Sequence, residues 1–241
     1  MSEPGAVRPL ERAGPLLAVL DYGIGNLGSA QKALQKVGAD ARLTADPALV
    51  AEADGVVLPG VGAFGRCIGA LRESGLWDTA LVAATTAAEG TGRPFLGICV
   101  GLQMLHEGSD EAPGVSGLGV LPGEVTLLAG DVKRPQMQWN RLEGTAGAGG
   151  HPMLTGLGAD PWTYFVHSYA APVGPDTVAT CTYGDEVCGA EARGALWACQ
   201  FHPEKSSATG LRVLQNFVSL VEESTRDREA DRDRHGSGVG A

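Results

Sequence analysis

Short apolar segments alternate with helix-forming segments through the first half of this chain, and this alternation constrains its fold most strongly. The predicted strands are 16–20, 39–43, 55–58 and 94–98, and the predicted helices are 26–37, 64–71, 77–89 and 100–106. Strands that alternate with helices in this way form mainly parallel sheets covered by helices on both faces. The sequence therefore predicts an α/β protein.

The pattern changes after about residue 117, where five shorter strands are predicted. They span 124–128, 163–168, 177–182, 188–192 and 196–201. Turn residues separate these strands, as in antiparallel or mixed pairing, so the sheet is predicted to be mixed. A closing helix is predicted over about 207–223, because its apolar residues recur at the spacing of one buried stripe.

Three regions are predicted from the distribution of apolar residues. Residues 16–224 are predicted to form one domain, which is long enough to bury a core. Residues 1–15, which end in Ala-Gly-Pro, are predicted to be a flexible leader. Residues 225–241 are predicted to be a disordered charged tail, because they lack apolar anchors.

Charge and cysteine content argue against several functions. A formal net charge of −10 disfavours binding to nucleic acids or anionic membranes. No apolar run reaches the ~20 residues of a membrane span, and the N-terminus has no apolar signal core. Five scattered cysteines without a CxxC pair fit a cytoplasmic protein without a metal site. Four of them are predicted to be buried packing residues.

Two glycine-rich turns match the dinucleotide-binding pattern GxGxxG, at 23–28 and 60–65. The first follows a predicted strand and begins a helix, and Asp46 lies near the position of a ribose-binding acid. The second follows the third strand, where that pattern is not expected, and glycine is common throughout the chain. Dinucleotide binding is therefore the second-ranked hypothesis, and saturable binding of NAD would favour it.

A third pattern indicates a reactive cysteine. The segment Gly97-Ile98-Cys99-Val100-Gly101 joins a predicted strand to a predicted helix, as in a nucleophile elbow. Flanking glycines remove Cβ clashes from such a tight turn, and a helix N-terminus favours the reactive thiolate. The alternative is a buried core cysteine between two loop glycines.

A cysteine nucleophile needs a base and an acid that orients the base. His202 and Glu204 follow a predicted strand directly, so both are placed to reach the carboxyl edge of the sheet. The loop 59–64 leaves the third strand, and its backbone N–H groups, together with that of Val100, are candidates for an oxyanion hole. Histidines 106, 151, 167 and 235 are assigned to surface or capping positions, or at most to the lining of the site.

These motifs together resemble the class I (triad) glutamine amidotransferases over about residues 16–217. Five segments carry the resemblance: DYGIGNL at 21–27, LPGVGAFG at 58–65, GICVGLQ at 97–103, YFVHSY at 164–169 and QFHPEKS at 200–206. Within that class, the chain is most similar to the glutaminase subunits that supply a cyclase in histidine biosynthesis. The resemblance implies the family's flavodoxin-like open mixed sheet, with the nucleophile elbow at its carboxyl edge.

The resemblance also implies roles for individual residues. Cys99 is the implied nucleophile, His202 the general base and acid, and Glu204 the residue that orients His202. The implied glutamine-binding positions are Gly60, Val61, Gly62, Val100, Gln103, Ser168 and Tyr169. The implied positions at or near a partner interface are Asn26, Trp139, Tyr164 and Lys205. No cofactor is implied.

The implied reaction is hydrolysis of glutamine to glutamate and ammonia through a Cys99 thioester. The implied partner is a (β/α)8-barrel cyclase subunit in a heterodimer, which uses the ammonia to convert PRFAR into imidazole glycerol phosphate and AICAR. Two alternatives stay open: another triad amidotransferase, such as a vitamin B6 glutaminase, and an inert subunit that keeps the fold. One departure from the family is that Gln136 and Gln138 replace the His and Gly of its Pro-His-Met-Gly-Trp-Asn segment.

Overall fold

The computed structural model describes residues 14–25, 27–145 and 150–236, without the side chains of 235 and 236. The helices are α1 (Leu27–Lys36), α2 (Pro47–Glu52), α3 (Phe64–Glu73), α4 (Trp77–Ala88), α5 (Val100–Gln103) and α6 (Ser207–Gly236). The strands of the first half are β1 (Leu16–Leu20), β2 (Asp40–Thr44), β3 (Gly55–Gly60), β4 (Phe95–Cys99), β5 (Gly108–Ser109) and β6 (Glu124–Leu127). Those of the second half are β7 (Gln136–Arg141), β8 (Glu143–Gly144), β9 (Trp162–His167), β10 (Tyr169–Ala170), β11 (Thr177–Tyr183), β12 (Asp185–Arg193) and β13 (Leu196–Cys199). Two 3-10 turns span Pro152–Leu154 and Pro203–Lys205.

A large mixed sheet organises the described residues. Its strand order is β2-β1-β3-β4-β13-β12-β11-β8. The first five strands of this order pair in parallel, and the last three join it by antiparallel pairing. Two smaller sheets, β10-β6-β5 and β7-β9, lie outside it. The predicted α/β fold with a mixed sheet is confirmed.

The central strands end together at one edge of the sheet. All residues of β1, β3 and β4 are buried, as expected for parallel strands covered on both faces. Gly60, at the end of β3, lies opposite Cys99 at the end of β4. Cys199, at the end of β13, lies opposite Ile98 on the other side of β4. Three loops therefore leave neighbouring strands at the same place, which makes this edge the natural position for a site.

The closing helix is longer than the sequence predicts. Helix α6 continues to Gly236, so a helix end near 223 is wrong, and 225–236 form helix instead of the predicted disordered tail. A lack of apolar anchors does not end a helix whose polar side chains pair at helical spacing. Arg228 donates hydrogen bonds to Ser224 Oγ (2.8 Å) and Thr225 Oγ1 (3.0 Å). Residues 1–13 and 237–241 lie outside the described residues, so the predicted domain boundaries stay a prediction.

Across the described ranges, every helix is too short or too polar to traverse a lipid bilayer.

Candidate active site

Cys99 lies at the turn between β4 and α5 in a strained backbone conformation. Its φ is 55° and its ψ is −112°. A residue other than glycine rarely adopts positive φ, and such strain typically persists at functional sites because the surrounding structure enforces it. The strand, the turn and the short helix form the nucleophile elbow predicted from the GxCxG pattern.

The two glycines of this pattern allow close approach between backbone segments. A Cβ atom on Gly101 would lie 1.8 Å from the carbonyl oxygen of Leu58 in β3. A Cβ atom on Gly97 would lie 3.0 Å from the carbonyl oxygen of Gly101. The elbow therefore packs backbone against backbone, which only residues without a side chain permit.

His202 and Glu204 come to Cys99 from the loop that follows β13. His202 Nδ1 lies 2.8 Å from Glu204 Oε1, and the His202 side chain lines the same cavity as Cys99. Burial alone would lower the pKa of His202, but its interactions with Cys99 and Glu204 outweigh burial and raise this pKa to about 10. The arrangement thus favours a cationic imidazole beside the sulfur, as expected for activation of a cysteine nucleophile.

Strand β9 holds the loop that carries His202. The His202 N–H donates to the Tyr164 carbonyl (2.9 Å). The Ser206 hydroxyl accepts from the Tyr164 N–H (2.9 Å) and donates to the His202 carbonyl (2.6 Å). Hydrogen bonds of the backbone and of the Ser206 hydroxyl therefore connect the segments around Tyr164 and His202.

The loop after β3 is anchored around the elbow. Tyr22 donates its hydroxyl hydrogen to the Pro59 carbonyl (2.6 Å), and Cys67 donates to the Val61 carbonyl (3.3 Å). Beyond Gly62, which has a φ of 95°, the Phe64 N–H donates to Glu111 Oε2 (2.7 Å). The candidate oxyanion loop is thus fixed at its beginning and at its end.

A cavity of about 420 Å³ opens at Cys99. The predicted site residues that line it are Cys99, His202, Val61, Gly62, Val100, Gln103, Ser168, Tyr169 and Lys205. Gly60 and Glu204 line a small adjoining cavity instead. Pro135 and Val166, which lie in quoted segments but had no assigned role, also line the main cavity, as does Glu111, which lies in no quoted motif. A separate cavity of about 500 Å³ near α2 and α4 is lined mainly by apolar residues and contains neither cysteine nor histidine, so it lacks the chemistry of the Cys99 site.

His167 is a neutral, buried member of the cavity wall. Its Nδ1 donates to the Tyr169 carbonyl (2.9 Å), which also accepts from Gln103 Nε2 (2.8 Å). Burial lowers the pKa of His167 to about 4. Among the buried side-chain atoms that the structure describes, His167 Nε2 and Glu204 Oε2 at this site have no hydrogen-bond partner.

The remaining histidines have local structural roles, with one difference from the prediction. His151 caps the 3-10 turn Pro152–Leu154, as a capping assignment predicts. His106 is fully buried between the Pro122 carbonyl (3.1 Å) and Glu191 Oε2 (2.8 Å), so a surface or capping position is wrong for it. The side chain of residue 235 lies outside the described part.

The other cysteines are inert packing residues, as predicted. Cys67, Cys181, Cys188 and Cys199 are buried and free of disulfides. Burial raises the pKa of Cys67 and of Cys181 to about 11, and it also raises the pKa of Cys188 and of Cys199.

The expected interface positions that are described lie on β7, on β9 and at the cavity. Trp139 is 44% exposed and packs edge-to-face against Tyr164, with ring centroids 6.0 Å apart. Lys205 lines the cavity itself, and Asn26 lies outside the described residues. Asp46, the candidate ribose-binding acid, accepts from the Ala48 N–H (2.9 Å) as the N-cap of α2.

The fold and the cysteine site define a class I glutamine amidotransferase. The family model described as "Glutamine amidotransferase class-I" matches residues 18–220. A solved structure titled "Crystal structure of glutamine amidotransferase" superposes with a TM-score of 0.65 at 22% identity, covering 86% of this chain and 98% of that one. The latter likeness supports the fold alone.

Relatives with higher sequence identity show which family within this class the chain belongs to. An "Imidazole glycerol phosphate synthase subunit HisH" from Synechococcus elongatus is 48% identical over 212 residues, covering 86% of this chain and 94% of the relative. A protein of the same description from Deinococcus radiodurans is 47% identical over 210 residues, with the same coverage. The chain belongs to this HisH family.

Proposed function

We propose that this chain is the glutaminase subunit of an imidazole glycerol phosphate synthase and acts in histidine biosynthesis. The observation that carries the proposal is the strained Cys99 in one cavity with a His202 that Glu204 holds in place. Relatives named HisH indicate which synthase the subunit serves. In this proposal Cys99 is the nucleophile, His202 the acid and base, and Glu204 the residue that orients His202.

The first half of the reaction forms a thioester. The Cys99 sulfur attacks the side-chain amide carbon of glutamine, and the C–N bond breaks as His202 gives its proton to the departing nitrogen, which leaves as ammonia. Negative charge that develops on the carbonyl oxygen is stabilised by N–H groups of Val100 and of the loop 60–62. Water, deprotonated by His202, then cleaves the thioester, so that glutamate leaves and the thiol is restored.

The cavity beside Cys99 supplies the groups that hold glutamine. Gln103, Ser168 and Tyr169 line it, and Glu111 adds a carboxylate, which attracts the α-ammonium group of an amino acid. The Tyr169 carbonyl already accepts two hydrogen bonds from the protein. The contacts of this segment to glutamine are therefore assigned to N–H groups and to the Ser168 hydroxyl.

The relatives are named as subunits, so a partner subunit belongs to the proposal. We identify this partner as a (β/α)8-barrel cyclase that forms a heterodimer and makes imidazole glycerol phosphate and AICAR from PRFAR. An exposed apolar patch on β7 and β9, formed by Met137, Trp139 and Trp162, supports docking beside the cavity. In this proposal Tyr164, Lys205 and Asn26 contribute to the same interface. A partner that covers the cavity keeps ammonia from being protonated and lost in water.

A cytoplasmic location is part of the same proposal. All five cysteines are free, which fits a reducing compartment.

The test measures glutamate release from glutamine, with and without the cyclase and its ligand. Release is expected only with the liganded cyclase and is expected to vanish in Cys99→Ser, because no other thiol lies in the cavity. Release that does not depend on the cyclase would assign the triad to another synthase. Turnover that survives in Cys99→Ser, or no turnover with any partner, would refute the proposal.

A further inference from the structure

Gln200 contacts the nucleophile from inside the protein. The residue directly follows β13, and its side chain is fully buried. Its backbone N–H donates to the Gly189 carbonyl (2.9 Å), which fixes it to the sheet. Its Nε2 atom lies 3.7 Å from the Cys99 sulfur, within the range of a hydrogen bond to sulfur. Gln200 does not line the cavity, so it contacts the sulfur from the protein interior.

The hydrogen-bond network determines which end of the Gln200 amide faces the sulfur. A backbone carbonyl only accepts hydrogen bonds, so the Gln103 atom 2.8 Å from the Tyr169 carbonyl is the NH2 group. The same NH2 group lies 3.0 Å from one end of the Gln200 amide, which must therefore be the oxygen. The opposite end of that amide is an NH2 group, and it points at Cys99.

We propose that Gln200 is a further catalytic residue, which donates a hydrogen bond to the Cys99 sulfur and stabilises the thiolate before glutamine binds. This inference rests on the proposed glutaminase function. A sulfur anion in a closed site needs stabilising groups in place of water, and the His202 imidazole is one of them, on the cavity side. Gln200 is the second and donates a hydrogen bond, which is stronger to a charged acceptor than to a neutral one.

The same network connects the nucleophile with the segment assigned to glutamine binding. Tyr169 accepts from Gln103, Gln103 donates to Gln200, and Gln200 donates to Cys99. The orientation of the donor therefore depends on a backbone group in the cavity wall. Gln103 acts on the sulfur through Gln200 and so is a positioning residue in this proposal.

The test measures the rate at which iodoacetamide alkylates the full chain, as a function of pH, without glutamine or partner. The titratable groups whose charges act on Cys99 in the described structure include Tyr22, Cys67, Cys199 and His202, with Glu204 behind His202. The pKa values of Tyr22, Cys67 and Cys199 are all raised, so these groups stay neutral near pH 7. The profile thus reports the Cys99–His202 pair, and Cys99→Ser should abolish the reaction.

Gln200→Met removes the donor while keeping a side chain of similar size. The expected result is a shift of the alkylation midpoint upward by about one pH unit and a rate at pH 7 about tenfold lower. Gln200→Glu keeps the shape and places a carboxylate oxygen against the sulfur, so its midpoint should move further in the same direction. With the liganded cyclase, glutaminase kcat should fall about tenfold for Gln200→Met while KM stays within about twofold.

Gln136→Met is the matched control. Gln136 is also fully buried, and its Nε2 lies 3.8 Å from the sulfur of Cys181, which does not line the cavity. The same type of contact is removed there, and the alkylation profile should stay that of the wild type. Thermal unfolding of each variant shows whether it is folded.

Three results would overturn the inference. The first is a wild-type midpoint in folded Gln200→Met, and the second is an equal shift in Gln136→Met, which would assign the effect to packing. The third result applies if Gln200→Met does not fold. In that case an alkylation midpoint of Gln200→Glu that equals or lies below that of the wild type would overturn the inference. Because alkylation needs neither glutamine nor cyclase, a shifted midpoint without glutamate release would refute the glutaminase function and leave the Gln200 contact intact.

Discussion

Replacing Gly101 by alanine tests how tightly the elbow is packed. The new Cβ would lie 1.8 Å from the Leu58 carbonyl oxygen and 2.9 Å from its carbonyl carbon. Real Cβ atoms essentially never approach closer than 3.0 Å, so α5 and β3 must separate by at least 1.2 Å, the difference between 3.0 and 1.8 Å. Both sides of this contact are backbone, so no flexible side chain can move aside.

The expected loss of stability follows from this displacement. Overpacking of a core costs about 1–3 kcal/mol and occasionally more. A clash between two backbone segments at the centre of the sheet belongs at the upper end, so Gly101→Ala should lower the free energy of unfolding by about 3 kcal/mol or more. For a domain of this size, that corresponds to a melting temperature lower by roughly 6–12 °C.

Urea unfolding followed by tryptophan fluorescence measures the effect. Gly69→Ala is the matched control, because Gly69 lies in α3 and its Cβ would meet no atom within 4 Å. That variant should gain about 0.5–1 kcal/mol, since alanine is the better helix former. A Gly101→Ala protein within about 1 kcal/mol of the wild type would refute the packing argument.

Two further predictions concern buried polar groups. Tyr22→Phe leaves the buried Pro59 carbonyl without its donor, so the free energy of unfolding should fall by about 1–2 kcal/mol in urea titration; an unchanged midpoint would contradict this. His167 has a folded pKa of about 4 against 6.5 when unfolded, so between these values the unfolded state binds more protons. Its stabilising contribution is present above pH 6.5 and is lost as the pH falls toward 4, about 3 kcal/mol in all. His167→Gln should remove that part of the acid sensitivity, and identical pH curves for the two proteins would speak against it.

Much of the fold and the central site residues follow from local sequence patterns. The alternation of strands and helices predicts the parallel part of the sheet, because the burial of each segment follows from its own pattern of apolar residues. The GxCxG pattern likewise predicts the elbow from neighbouring residues alone, because the close approach of Gly101 to the backbone of Leu58 requires a glycine.

Strand β7 and some of the residues around Cys99 do not follow from a local pattern. In Gln136–Arg141, polar and apolar residues alternate, but Met137 and Trp139 are exposed and Gln136 is buried, the reverse of a half-buried strand. Pairing with β9 along six residues defines the strand instead. Glu111 lies in no quoted motif, and Gln200 lies in QFHPEKS without an assigned role, because their relation to Cys99 arises from contacts between distant segments. A pattern limited to neighbouring residues cannot report such contacts.

The central position of β13 has a consequence for the order of synthesis. This strand is the last one in the described part of the chain, yet it lies between β4 and β12 in the middle of the sheet. Until β13 and the following loop have been synthesised, β4 has an unpaired edge and Cys99 lacks the base His202. A growing chain therefore contains the nucleophile before the residue that activates it. The same arrangement suggests how the enzyme could be split into two fragments, one containing β4 and the other containing β13. Such fragments would regain a complete site only when β4 and β13 pair.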